Sequence, residues 1–341
     1  MSSIISAFTD GVGRVRRAPA ILAGVYLLLL ITTTLPGLVV REDITASLGQ
    51  SADADTMATG VNLEWWDRFG ESASGLSRSF SPTIIGFGAT LDNLSRLIDK
   101  GSWPVAVLAL AGAYMLVWLL LAGGILDRFA RNRATRGRAF FGACGVYFPR
   151  FLRLGILGLA GYWLLFAYVH HWLFGRLWDA ATRDMTVERT AILLNLALYA
   201  VFGAMLACWN VVLDYAKIRA VVEDRHSMIG ALFAAVRFVI QRPAAVGGLY
   251  LLNALYFVVV LAVYALAAPG AAGGGFQVWT GFAIGQIYIV GRLYVKLTFY
   301  ASQTALFQQS LAHAAYAAPP VPTWPDSPAA EAIGNAADPW R

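Results

Sequence analysis

SIISAFTDGVGRVRRAPAILAGVYLL, residues 3–28, returns without a gap as SMIGALFAAVRFVIQRPAAVGGLYLL, residues 227–252, with eleven of 26 positions identical. The identities include Pro19/Pro243, Gly24/Gly248 and Tyr26/Tyr250 in one register, which a bias towards Ala, Val and Leu does not produce. Each copy reads as an amphipathic helix, a proline and an apolar run. In the first, Ile4, Ile5, Phe8, Val12 and Val15 share one helical face, while Asp10, Arg14 and Arg17 share the other. Such a helix lies in a membrane interface with its arginines towards headgroups. The proline then stops it and turns the chain into a spanning helix. Gly24 and Gly248, one turn further on, are expected to allow close backbone approach.

The rest of the chain agrees with a membrane setting. Of 341 residues, 58% are apolar and 13% charged, and the mean hydropathy is +0.60. That excludes a water-soluble globule, a disordered chain and a disulfide-stapled module. Stretches long enough to span, about 20 apolar residues each, lie near 20–40, 103–126, 154–174, 191–213, 244–267 and 277–300. The first is too long for the core of a signal peptide, and no small-residue cleavage site follows it. Cys144 and Cys208 read as free thiols.

The net charge of +6 is distributed along the chain as an orientation signal rather than a nucleic-acid footprint. Lys and Arg number three before the first span, seven in 127–153 and five in 214–242. The alternate loops hold five, three and none, and 41–102 also carries nine acids. The positive-inside rule therefore puts both termini in the cytoplasm.

A fainter third copy falls in 136–165, where Arg136, Arg138, Arg150 and Arg153 interleave with Phe140, Phe141, Tyr147, Phe148 and Phe151. The chain divides into three units, 1–126, 127–213 and 214–315, each an interfacial elbow plus a helical hairpin, followed by a Pro- and Ala-rich tail, 316–341, read as disordered. The arginines of the elbows, Arg14, Arg16, Arg17, Arg136, Arg138, Arg150, Arg153, Arg237 and Arg242, are the candidate contacts for anionic lipid. In the outer loop, Leu63, Trp65, Trp66 and Phe69 form one aromatic cluster, and Ile84, Phe87, Leu91, Leu94 and Ile98 follow helical spacing. Two short helices are expected to cap the outer face there, where a protein partner would dock.

Chemistry is sparse. The last span carries Gln277, Gln286, Arg292 and Lys296, with Arg292 and Lys296 on one face. A cation at the bilayer centre costs roughly 2.5–3.5 kcal/mol on insertion scales, so it snorkels or finds a partner. Asp127 and Asp214 close the second and fourth spans in related settings and are the partners that would complete a charge cluster at the inner mouth. His170 and His171 are adjacent, so their side chains diverge and suit packing better than metal ligation. Asn195 and Asn253 read as helix bridges, and Gly281-x-x-x-Gly285 as a close-packing signal. No hydrolase, metalloprotease or phosphate-loop motif occurs, which points away from an enzyme and implies no cofactor.

Leu213-Asp214-Tyr215-Ala216-Lys217-Ile218-Arg219-Ala220-Val221-Val222-Glu223-Asp224, followed by Ala231-Leu232 and Pro243, resembles uncharacterised bacterial six-span proteins and the membrane domain attached to some glycerophosphodiester phosphodiesterases. Phe80-Ser81-Pro82-Thr83-Ile84-Ile85-Gly86-Phe87 with Leu91-Asp92-Asn93-Leu94 resembles the first group alone. The resemblance implies a six-span bundle in a bacterial inner membrane and no enzyme activity, since no phosphodiesterase domain is present. The expectation is an all-α, multi-pass inner-membrane protein that interacts with lipid or acts as a scaffold; a transporter or channel built on the charge cluster is the alternative.

Overall fold

The computed structural model describes residues 2–49, 51–59, 62–79, 95, 105–268 and 275–313. Nearly all of these are helical, and no strand occurs among them. The protein is an all-α polytopic membrane protein. Its helices are α1 (Ser2–Arg16), α2 (Pro19–Leu48), α3 (Asp53–Thr59), α4 (Leu63–Ser72), α5 (Val105–Arg131), α6 (Gly137–Leu164), α7 (Glu188–Val222), α8 (Met228–Gln241), α9 (Pro243–Ala267) and α10 (Phe276–His313). Helix α6 continues through π-helical turns at Leu165–His170 and Trp172–Leu177 into a last turn at Trp178–Thr182. The predicted helix around 84–98, residue 95 apart, and the 316–341 tail lie outside the described residues.

The repeat is expressed in the backbone. Pro19 and Pro243 open α2 and α9, where a missing N–H costs nothing. The residues before them adopt nearly the same conformation, Ala18 at φ −132, ψ 51 and Arg242 at φ −136, ψ 48. A proline disfavours the helical region for its predecessor, so both elbows break at the same register. The 136–165 segment behaves differently. Helix α6 runs unbroken from Gly137, with Pro149 inside it, so the basic stretch there is the first part of a long helix rather than a separate elbow.

The three basic segments nevertheless share one packing rule. Helix α1 packs most extensively on α10, the first part of α6 on α5, and α8 on α7. Each sits on the helix that ends the preceding unit, and the α1–α10 contact closes the ring between the chain's two ends. Among the described residues five helices, α2, α5, α6 with its extension, α7 and α9, are long and apolar enough to cross a membrane. Helix α10 occupies the sixth predicted position but is more polar, and it packs on α1, α2, α5, α7 and α9. Thr298, Ser302, Gln303 and Thr304 are all at most 1% exposed. Three of them donate their hydroxyls back to their own helix, to the carbonyls of Tyr294, Phe299 and Tyr300.

The main core lies at the end that carries α1, α8 and the last turns of α10, around Phe129, Phe151, Tyr215, Leu249 and Phe307. The far end holds a smaller core, Leu173, Leu198 and Phe202, joined by the His170 ring, which stacks on Phe166 and meets Phe174 at a tilt and Phe202 edge-on. His170 thus packs as an aromatic ring, and the described residues contain no group of three or more metal-ligating side chains. At that end Asn62 caps α4 by accepting from the Trp65 N–H at 3.1 Å, and Trp65 stacks on Phe69.

Close approach occurs at other glycines than those expected. A Cβ at Gly24 or Gly285 would meet nothing within 4 Å, and one at Gly248 would meet only the flexible tip of Ile4. The tight places are Gly11 against the Ser302 backbone, Gly123 and Gly124 against α6, and Gly161 against the Trp209 ring. Trp209 also donates its indole N–H to the Gly158 carbonyl at 3.1 Å. Cys144 is buried within α6, Cys208 is exposed, and both thiols are free.

Candidate functional site: a basic end and an intramembrane cavity

No direct ion pair joins the four charges expected to form one cluster, although Asp214 lies within electrostatic reach of Lys296. Asp127 accepts from Arg131 Nε at 2.8 Å, one turn along α5. Asp214 accepts from Lys217 Nζ at 2.9 Å on α7, with both side chains less than a fifth exposed. Arg292 and Lys296 have no carboxylate partner among the described residues. The reason is geometric: a cation three or four residues along the same helix reaches the carboxylate without two helices having to be brought together.

The two cations of α10 open instead on a cavity of about 670 Å³ between α2, α5, α9 and α10. Lys296 Nζ lies 3.4 Å from the centroid of the Trp118 ring and 5.3 Å from that of Tyr114. The Arg292 guanidinium sits 5.6 Å from the Tyr288 ring. Aromatic faces stabilise both cations by cation–π attraction, which strengthens where water is excluded. Across the cavity, the Tyr26 hydroxyl donates to Gln286 Oε1 at 2.8 Å. Asn253 bridges helices as expected, donating to Leu249 O and Ser302 Oγ.

A double-mutant cycle distinguishes these pairings. Asp214→Asn is expected to couple with Lys217→Gln by roughly 1 kcal/mol or more in thermal unfolding, and more weakly with Lys296→Gln, which it does not touch. Coupling to Lys296 alone would contradict the geometry.

The nine elbow arginines divide into two sets. Arg16, Arg17, Arg136, Arg138, Arg153 and Arg237 are exposed. Arg14, Arg150 and Arg242 are turned inward as ties. Arg14 is 7% exposed; its Nη1 donates to the Phe129 carbonyl at 2.7 Å and to Gln308 Oε1 at 2.8 Å, and its Nη2 meets Asp10 at 2.8 Å. Arg150 Nη1 donates to Asp224 at 2.6 Å, which holds that carboxyl below the usual carboxylate range. Asp224 itself lies in the left-handed region at φ 48, just beyond α7, as Asn132 does at φ 49 beyond α5. Arg242 donates to the Ser310 carbonyl at 3.3 Å.

Sequence reading passed over Arg128 and Arg219. Arg219 ties α7 to α8, donating to the Ala234 carbonyl at 2.6 Å while its other arm pairs with Glu223. Arg128, on α5, is 6% exposed and has no ion pair among the described residues. Asp127, its neighbour in the chain, pairs with Arg131 instead, since adjacent side chains on a helix diverge by about 100°. The chain matches no family model, no curated protein and no solved structure.

Proposed function

We propose that this is a non-catalytic membrane protein that gathers anionic lipid around its basic end, which faces the cytoplasm. One observation carries the reading. Of the six arginines left exposed at that end, three have exposed apolar side chains near them on the same helix: Phe141 near Arg138, Leu152 and Ile156 beside Arg153, Phe233 and Ile240 beside Arg237. That pairing suits a headgroup layer, where the apolar side chain enters the acyl region and the guanidinium stays with phosphate. Each such cation contributes roughly 1 kcal/mol near an anionic surface, so several together outweigh thermal motion.

The test is lipid retention after mild detergent purification. Changing Arg138, Arg153 and Arg237 together to Gln is expected to reduce co-purifying phosphatidylglycerol and cardiolipin severalfold while leaving phosphatidylethanolamine unchanged. Equal retention would leave those arginines as orientation signals only. The cavity bearing Arg292 and Lys296 is the one observation that favours transport instead.

A further inference from the structure

The turn between α1 and α2, the end of α5 and the start of α6 enclose a second cavity, of about 320 Å³, at the basic end. Arg128 enters it from α5. Its Nη2 donates to the Arg17 carbonyl at 3.3 Å, but its Nη1 is buried without a hydrogen-bond partner among the described residues. A buried guanidinium is costly to leave unpaired, and nothing acidic lines the cavity to pair with it. Arg17 also lines the space and brings a second positive charge to its edge, its exposed side chain lying 3.8 Å from Asp10.

Two helices also begin there. The first turns of α2, at Pro19, and of α6, at Gly137, line the cavity, and neither has a side-chain cap or an acid in its first turn. Helix N-termini carry free N–H groups and the positive end of the helix dipole, a setting that favours phosphate. The remaining walls are apolar, among them Val25, Leu28, Leu121 and Phe140. Glycines keep the space open, since a Cβ at Gly24 or Gly137 would meet nothing within 4 Å. Two cations, two helix N-termini and an apolar wall together specify a phosphate group attached to an acyl chain.

We propose that this cavity binds one anionic phospholipid, its phosphate held by Arg128 and Arg17 at the α2 and α6 N-termini and its acyl chain leaving along Val25, Leu28 and Leu121. The inference rests on the lipid-interacting reading above and gives it a single defined site, distinct from the exposed Arg138, Arg153 and Arg237. It also accounts for Arg128, whose buried charge no side chain on the described residues neutralises.

The experiment is native mass spectrometry of the full chain released from phosphatidylcholine nanodiscs doped with phosphatidylglycerol, with thermal unfolding in parallel. Wild type is expected to keep one phosphatidylglycerol after the loosely held lipids are stripped. Arg128→Gln should weaken that retention roughly tenfold, as loss of a charge-assisted contact does. In lipid-free detergent the same variant should be at least as stable as wild type, because it removes an unpaired buried charge. Gly24→Leu leaves every arginine in place and fills the cavity, and should also lose the retained lipid. The triple Arg138, Arg153 and Arg237 variant should lose the loose population and keep the single lipid, so failure of the broader reading and of this one are told apart. Retention of the single lipid by both Arg128→Gln and Gly24→Leu would overturn the proposal. So would inorganic phosphate alone raising the unfolding temperature as much as phosphatidylglycerol, since the occupant would then be a free anion.

Discussion

Arg14→Ala is expected to lower the stability of the detergent-solubilised protein by about 3–5 kcal/mol, a fall in Tm on the order of 10 °C, while Arg16→Ala two residues away stays within about 0.5 kcal/mol. The two arginines sit on the same helix and differ in what they touch. Arg16 is exposed; Arg14 spans three elements, meeting Asp10 on α1, the Phe129 carbonyl at the end of α5 and Gln308 on α10. Phe129 is fully buried, so truncating Arg14 strips a charge-assisted bond from a carbonyl that water does not easily reach. Arg14→Lys should recover only a part of the loss, because one ammonium cannot reproduce the fork that serves three acceptors at once. Equal melting of the Arg14→Ala and Arg16→Ala proteins would remove Arg14 as a tie and return it to the headgroup layer.

That contrast marks what was legible in the sequence. The elbows were, because a proline acts on its own neighbours: Pro19 and Pro243 produce the same break with no help from the rest of the fold. The missing elbow at 136–165 has the same cause, since no proline stands between its basic and apolar halves at the matching place. The pairings of Asp127 and Asp214 were also written locally, as Asp127-x-x-x-Arg131 and Asp214-x-x-Lys217, and the expectation of a cross-helix cluster overlooked them. What could not be read was facing. Arg14 and Arg17 share one predicted face, and only the docking of α1 on α10 turns Arg14 inward and leaves Arg17 exposed. Gly24 and Gly11 are likewise both small; the one singled out borders open space and the other touches backbone.

Gly11→Ala should therefore cost about 3 kcal/mol, at the upper end of what overpacking usually costs, although it adds only a methyl group and improves helix propensity. A Cβ at Gly11 would lie 2.6 Å from Ser302 N and 2.7 Å from its Cα, and backbone cannot swing aside as a side chain can. Nor can α10 retreat, because Ser302 is held on another side by Asn253 of α9, at 3.0 Å. The strain must then lift α1, and Arg14 lies three residues further along it. Lifting α1 draws Arg14 away from Phe129, so the two substitutions damage the same contact. The Gly11→Ala, Arg14→Ala double variant should consequently lose less than the sum of the singles, with an interaction of about 1 kcal/mol or more. Gly13→Ala is the control. Its Cβ would meet nothing closer than Arg17 Nη2 at 3.4 Å, so the gain in helix propensity should show as a stabilisation of up to about 1 kcal/mol. If Gly11→Ala and Gly13→Ala move the melting temperature alike, α1 is not seated on α10 by backbone contact. The ring closed by that contact would then need another anchor.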